Sequence, residues 1–194
     1  MANPKSNPFA TTEFQAKVTP GLLIASPVMR DPNFARAVVL ICQHDEEGAI
    51  GLIINRVGPV MLDDVIDRLE LDAPGTVGGP TWWGGPVGQE TGFVIWRGTA
   101  NPAEGWNVGG EVAVSPSAEQ LGELVADGIR FHLCLGYAGW GPGQLDMEIR
   151  TGSWVYTDVE ASLVFETPLE ERYGAALAQL GLTAATLSMQ PIDA

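Results

Sequence analysis

Lysine is almost missing from this 194-residue chain: both copies, Lys5 and Lys17, stand within the first 18 residues. From residue 19 on, the only cations are arginines: Arg30, Arg36, Arg56, Arg68, Arg97, Arg130, Arg150 and Arg172. A domain without lysine forms no Schiff base and brings no lysine to a phosphate loop. The net charge is −14, and with Lys5 and Lys17 set against Glu13 the first 18 residues carry +1, which leaves −15 for the remainder. Such an acidic domain repels a phosphate backbone, so direct recognition of nucleic acid is disfavoured unless arginines gather on one face. Two cysteines, Cys42 and Cys134, are too few for a disulfide framework, and buried, reduced thiols are expected. No apolar run approaches the ~20 residues that span a membrane. The first 18 residues hold no apolar signal core, and a cytoplasmic protein without a membrane partner is expected. Gly-x-Ser-x-Gly, Gly-x-Gly-x-x-Gly and a Gly-Lys-Ser/Thr ending are all missing, so a serine elbow and the usual nucleotide loops are excluded.

What is present is apolar mass and glycine. Hydrophobic residues make up 45% of the chain, enough for one sizeable core, and residues 19–194 read as a single domain behind a flexible tail over residues 1–18. Residues 21–25 begin a short strand; Arg36 to Gln43 is a strand too continuously apolar to face water on either side. A five-residue polar loop, His44 to Gly48, leads into a further buried strand, Ala49 to Asn55. Leu62, Val65, Ile66 and Leu69 recur at helical spacing within residues 60–70. After the Gly/Pro-rich segment 75–88 come a strand, Phe93 to Arg97, and another around Val112 and Val114. Ser117 and Gln120 form the ends of a capping box for a helix to about Asp127.

Ile129 to Leu135 reads as a strand that breaks into a loop at Gly136, Gly139, Gly141 and Gly143, with a helix opening at Pro142 or just after and the proline in its first turn. Trp154 and Ser162 to Phe165 are expected to be extended. A last helix starts near Thr167 and buries Leu169, Tyr173, Ala176, Leu177 and Leu180. Strands and helices mix without βαβ alternation, which points to an α+β fold with a mixed sheet.

Few residues invite chemistry. The two histidines each stand two positions from a cysteine, in Cys42-Gln43-His44 and His132-Leu133-Cys134. On strands such pairs share a face. A metal site would need those strands to be neighbours in register, and buried thiols with structural imidazoles are expected instead. Asp146 and Glu148 diverge on a helix; Glu148 turned inward against Arg56 or Arg36 would be a buried ion pair that holds the glycine loop. Trp82-Trp83 in a Gly/Pro loop would mark a partner surface if both are exposed.

Three blocks, residues 21–56, 84–96 and 135–154, resemble the YqgE/AlgH family in order and content. The matching motif residues are Asp31-Pro32, His44, Gly48-Ala49, Gly51, Asn55-Arg56, Gly84 to Val87 and Gly136 to Glu148. Gln43, Val57 and Trp96 depart from that pattern, and each departure removes an ionisable or rigid group. The resemblance implies a compact α+β domain whose mixed sheet is strongly bent toward a pseudo-barrel. It also implies a transcriptional-regulator label without an established activity or cofactor.

The expected function is that of a regulatory or binding module without catalysis, metal or cofactor. Its site is expected to combine His44, Asp45, Asn55, Arg56, Gly85, Pro86, Tyr137, Trp140 and Gln144, and to hold a partner protein or a small anionic ligand. An enzyme using Cys134 or Glu148 with His44 is the competing expectation. A DNA-binding regulator is the third, and it requires Arg30, Arg36, Arg56 and Arg97 to converge on one surface.

Overall fold

A computed structural model of the protein describes residues 20–73, 78–183 and 185. The tail expected over residues 1–18 lies outside the described residues. The elements in chain order are β1 (Leu22–Ala25), β2 (Val38–Asp45), β3 (Gly48–Ile53), β4 (Val57–Met61), α1 (Leu62–Arg68), β5 (Pro80–Trp83), β6 (Val87–Arg97) and β7 (Trp106–Asn107). They continue with β8 (Val112–Ser115), α2 (Ala118–Ala126), β9 (Phe131–Trp140), α3 (Gln144–Arg150), β10 (Trp154–Thr157), α4 (Ala161–Phe165) and α5 (Arg172–Gln179). The strands form one sheet in the order β10-β1-β2-β3-β9-β6-β8-β7, and β5 joins β9 with β4 beyond it. The β5–β9 ladder is parallel and the others antiparallel, so the sheet is mixed, as expected for this α+β fold. It is strongly curved, yet β10 and β7 do not pair with each other and the sheet stays open.

β9 is the spine. Along one edge it pairs with β6, from Phe131 opposite Trp96 to Tyr137 opposite Val87. Along the other edge Cys134 and Leu135 pair with Trp82 and Trp83 of β5, and Ala138 to Trp140 pair with Gly51 to Ala49 of β3. The expected glycine loop is therefore largely a strand. Glycine usually weakens a strand, but here it lets backbones meet. A Cβ on Gly84 would lie 2.2 Å from the Gly136 carbonyl oxygen, and one on Gly136 would lie 2.6 Å from that of Gly85. Gly136 has φ +73, which breaks the alternation of the strand. Cys134 and Tyr137 consequently share one core cluster, while Ala138 and Trp140 belong to the cluster on the opposite face.

A second irregularity sits in β2, where the register to β3 shifts between Ile41 and Gln43. His44 then pairs with Ala49 on the face of the Trp140 cluster, while Cys42 faces the Cys134 cluster. The expectation that Cys42 and His44 project together fails because the bulge inserts one residue between them. The hairpin is also tighter than the five-residue loop expected. Its tip is Glu46-Glu47, held by the Asp45 carboxylate, which accepts the Glu47 N–H at 2.8 Å.

Core residues cover both faces. Val38 to Cys42 are all buried, the signature of a central strand. α4 and α5 pack Leu163, Val164, Tyr173, Ala176 and Leu177 on one face, and α3 packs Leu145 on the other. α1 and α2 close a third cluster with Leu62, Ile66, Leu121, Leu124 and Val125. Each such leucine, isoleucine or valine contributes roughly 1.5–3 kcal/mol by leaving water. The Ser117 hydroxyl caps α2, accepting the Gln120 N–H at 3.2 Å, whereas the Gln120 side chain donates to Glu123 rather than back to the cap.

Other expectations are corrected. Ser162 to Phe165 belongs to helix α4, not to a strand. α3 opens at Gln144, just after Pro142 as expected, but the proline stands before the first turn and Gly143 is the N-cap. The stretch before α1 and the Trp82-Trp83 dipeptide form β4 and β5, whose strand signal was masked by glycine and proline. Trp82 is buried in one cluster and Trp83 packs half-buried against another, so they do not form an exposed pair.

The backbone contact at Gly84 can be tested against a site with room. Gly84→Ala forces a methyl group into the Gly136 carbonyl and is expected to cost roughly 3 kcal/mol in urea unfolding. Gly174→Ala, in α5 with nothing within 4 Å of the new methyl, is expected to raise stability by up to ~1 kcal/mol.

Candidate functional site

Three of the expected site residues meet where α3 crosses β2, β9 and β10. Trp140, Ala49 and His44 lie side by side on successive strands, so their side chains share a face. The His44 imidazole is 6% exposed, and its Nε2 lies 3.4 Å from the Asp146 carboxylate. Glu148 is the hub. Its Oε2 accepts the indole N–H groups of Trp140 at 3.0 Å and Trp154 at 2.8 Å, and its Oε1 accepts from the Gln144 side chain at 2.9 Å. Gln144 in turn accepts the Gly141 N–H at 3.1 Å. Phe34 stacks on Trp140 and meets Trp154 edge-on, with ring centroids 6.1 and 5.6 Å apart. The expected pairing of Glu148 with Arg56 or Arg36 is replaced by two neutral indoles, because α3 lies over the tryptophans and not over the arginines.

Asn55 and Arg56 serve the loop before β2. The Asn55 amide accepts the Val38 N–H at 2.9 Å and donates to the Arg36 carbonyl at 2.9 Å, bridging like a backbone ladder. Arg56 Nη2 donates to the carbonyls of Pro32 at 3.2 Å and Ala35 at 3.0 Å, and the guanidinium lies 5.2 Å from the Trp83 ring centroid. Among the described residues no carboxylate lies within ion-pair distance of it. The other arginines are differently engaged: Arg36 lies over Tyr173, and Arg97 pairs with Glu166 at 2.8 Å.

The remaining members of the expected set are divided. Asp45 is exposed at the hairpin tip, where the Gln43 side chain and then the Glu47 N–H hold its carboxyl below the usual range. Gly85 is buried against the Tyr137 backbone, and Pro86 beside it is exposed. The Tyr137 ring meets Phe93 on the face opposite Trp140. His44, Trp140 and Gln144 therefore form one group, with Arg56 joined to their cluster through Trp83, while Tyr137 turns away.

The fold also excludes the cysteine dyad. Cys134 and Cys42 are buried in the cluster on the face away from His44, and burial pushes both thiols up, keeping them neutral. β3 separates β2 from β9, so the two Cys/His pairs do not stand on neighbouring strands, and His44 lies on the face away from Cys42 and Cys134.

A cleft that the sequence reading missed opens between α1, β5, α2, β9 and the turn into α5, with a volume of about 730 Å³. Its floor holds Arg172, a 3% exposed residue with its guanidinium 4.2 Å from the Trp82 ring centroid. Arg172 donates to the carbonyls of Thr167 at 2.9 Å, Val164 at 2.7 Å and Ile54. Burial lowers its pKa to about 10, which leaves it charged at neutral pH. His132 stacks on Trp82 with centroids 3.9 Å apart and on Phe165 at 5.9 Å. Its Nε2 is closed to solvent and has no hydrogen-bond partner. Burial, then the charges of Arg172 and Arg130, bring its pKa down to about 3. One signal was legible: position 172 stands four residues before buried Ala176, which places a cation on the apolar stripe of α5.

The AlgH-like family profile matches residues 22–185. A UPF0301 protein of Burkholderia multivorans is 42% identical over 178 residues, spanning 88% of this chain and 92% of that protein. One from Nitrosococcus oceani is 39% identical over 171 residues, spanning 86% and 91%. The solution structure of the AlgH protein from Pseudomonas aeruginosa superposes with a TM-score of 0.72 at 33% identity and covers 99% of this chain and 100% of that one. The crystal structure of a Corynebacterium diphtheriae protein shares the fold, with a TM-score of 0.69 at 23% identity over 89% and 92% of the two chains.

The two hubs carry separate tests. Glu148→Leu strands two indole N–H groups and is expected to lower unfolding free energy by about 3 kcal/mol, whereas Glu148→Gln keeps an acceptor and costs about half as much. His132 binds its proton at about pH 6.5 when unfolded and only near pH 3 when folded, so in that window the unfolded state holds more protons. Its contribution to stability is intact above pH 6.5 and is lost as pH falls toward 3, by up to ~1.4 kcal/mol per pH unit. His132→Phe is expected to flatten that slope in urea titrations run at successive pH values.

Proposed function

The chain belongs to the AlgH-like family, and on that premise we propose that it is a non-catalytic regulatory module which binds a partner protein or a small anionic ligand. The recognition face is built around Arg56 and Trp83 and is backed by the His44, Trp140 and Gln144 group. Arg56 is the observation that carries this proposal. Two loop carbonyls take the hydrogens of Nη2 and aim the guanidinium, and Trp83 supports it from below. Nε and Nη1 have no hydrogen-bond partner among the described residues. Asp31 acts on the charge from beyond ion-pair distance, and half-burial lowers the arginine's pKa. A preset guanidinium with open donors suits a carboxylate or another planar anion.

Recognition without reaction is favoured because the nucleophile and the acid that a reaction would pair with His44 are held elsewhere. Cys134 lies across the sheet from His44, His44 faces Asp146, and Glu148 is held by two indoles. The regulatory part of the proposal comes from the family resemblance. A cytoplasmic location accords with Cys42 and Cys134 being unpaired and buried.

The test is affinity capture from cell extract with the wild-type chain and with Arg56→Gln, followed by mass spectrometry of proteins and small molecules. One dominant acidic partner or one stoichiometric anion is expected on the wild type, reduced at least ~10-fold on a variant that retains the wild-type circular dichroism. Equal capture by both chains refutes the Arg56 face. Turnover of the captured molecule by purified protein refutes the non-catalytic assignment.

A further inference from the structure

The cleft above Arg172 lies on the Trp82 face of β5, opposite the face where Trp83 supports Arg56, and it is a separate site. Its charge runs against that of the whole chain. Among the described residues Arg172 and Arg130 line it with one acid, Glu166, and that acid is already paired with Arg97 at 2.8 Å. At the floor, the buried Arg172 cation is met among the described residues by three carbonyl dipoles and the face of Trp82, with no carboxylate within ion-pair distance. The neighbouring Cys134 thiol supplies no counter-charge, because burial keeps it protonated. Buried charges without a counterion are costly, and proteins rarely keep one unless something else compensates it. Three of the five guanidinium N–H groups are committed to carbonyls, so one on each terminal nitrogen remains for an anion. The walls are mixed: Thr167, His132 and glycine backbone contribute polar surface, while Phe131, Ile129, Phe165 and Leu169 offer an apolar side that an aryl or alkyl body covers. The volume of about 730 Å³ falls within the ~300–1,000 Å³ usual for small-molecule sites.

We infer that this cleft binds a small monocarboxylate carrying an apolar body, with the carboxylate on Arg172, Arg130 at the mouth and the body against the Phe131 and Phe165 side. One uncompensated charge at the floor matches a monoanion. The apolar side formed by Phe131, Ile129, Phe165 and Leu169 matches a ligand with a hydrocarbon body, and inorganic phosphate would leave that side uncovered. The bare Nε2 of His132, stacked beside Arg172 on Trp82, reports from inside the cleft.

The test titrates the full chain with octanoate, phenylacetate, phenylacetamide and inorganic phosphate, following the imidazole NMR signals and the melting temperature. The two histidines serve as internal controls, one in the cleft and one across the sheet. Both carboxylates are expected to move the His132 signals while leaving those of His44 in place, and to raise the melting temperature. The amide and phosphate are expected to bind at least ~10-fold more weakly. Arg172→Met is expected to lose carboxylate binding by a similar factor. Should that variant fail to fold, Arg130→Gln, altered only at the exposed mouth, is expected to weaken binding roughly threefold. Three results overturn the inference: no response to either carboxylate, an amide or phosphate that binds as well, or unchanged affinity in Arg130→Gln.

Discussion

The structure depends on two backbones that touch. Gly84 and Gly85 lie directly against Gly136 and Tyr137, with no room for a side chain between them. The Gly84 N–H donates to the Leu135 carbonyl at 2.8 Å, and the Gly84 carbonyl accepts the Ile53 N–H at 2.8 Å. This crossing lets β3 and β5 share one edge of β9, so both halves of the sheet hang on a single strand. The turn in alternation at Gly136 then sends Tyr137 to one face and Trp140 to the other. A side chain at Gly84 or Gly136 would separate the two halves and with them the two faces that carry chemistry.

Each face holds a charge that its own side chains do not neutralise. On one side Glu148 is a half-buried anion met by two indole N–H groups and an amide. On the other, Arg172 is a buried cation met by three carbonyls. Neutral dipoles take the Glu148 carboxylate and three of the five Arg172 N–H groups, and they leave the net charge standing in both cases. The difference lies in what adjoins them. Glu148 is closed over by Trp140, Trp154 and Phe34, which makes it a fastening for α3. Arg172 faces a cleft, which makes it a place where an anion lowers the energy of the whole.

Local pattern was legible where it acts alone. Ser117 caps α2 as its spacing announces, and Tyr173, Ala176 and Leu177 bury the face of α5 that their periodicity marks. The continuous apolar run of β2 did mean burial on both sides. Legibility ended where pairing takes over. Cys42 and His44 stand two apart, yet a one-residue bulge against β3 turns them to opposite faces. The glycines after Leu135 read as a loop, because nothing local says that three other strands come to meet them. Among the expected site residues, His44, Trp140 and Gln144 were brought together, and Tyr137 was turned away by the φ of Gly136.

By itself the sequence determined an α+β domain with an apolar core and an acidic, lysine-free surface, together with a set of family motifs. Those properties follow from composition and from periodicities of two and 3.6 residues, which act over a few neighbours along the chain. Only the tertiary structure decided which motif residues share a face, which indoles hold Glu148, and that Arg172 stands at the base of a cleft unpaired with any carboxylate among the described residues. Those outcomes rest on contacts between residues such as Ile54 and Arg172, 118 positions apart. Strand register and backbone crossing set such contacts, and no local window contains them.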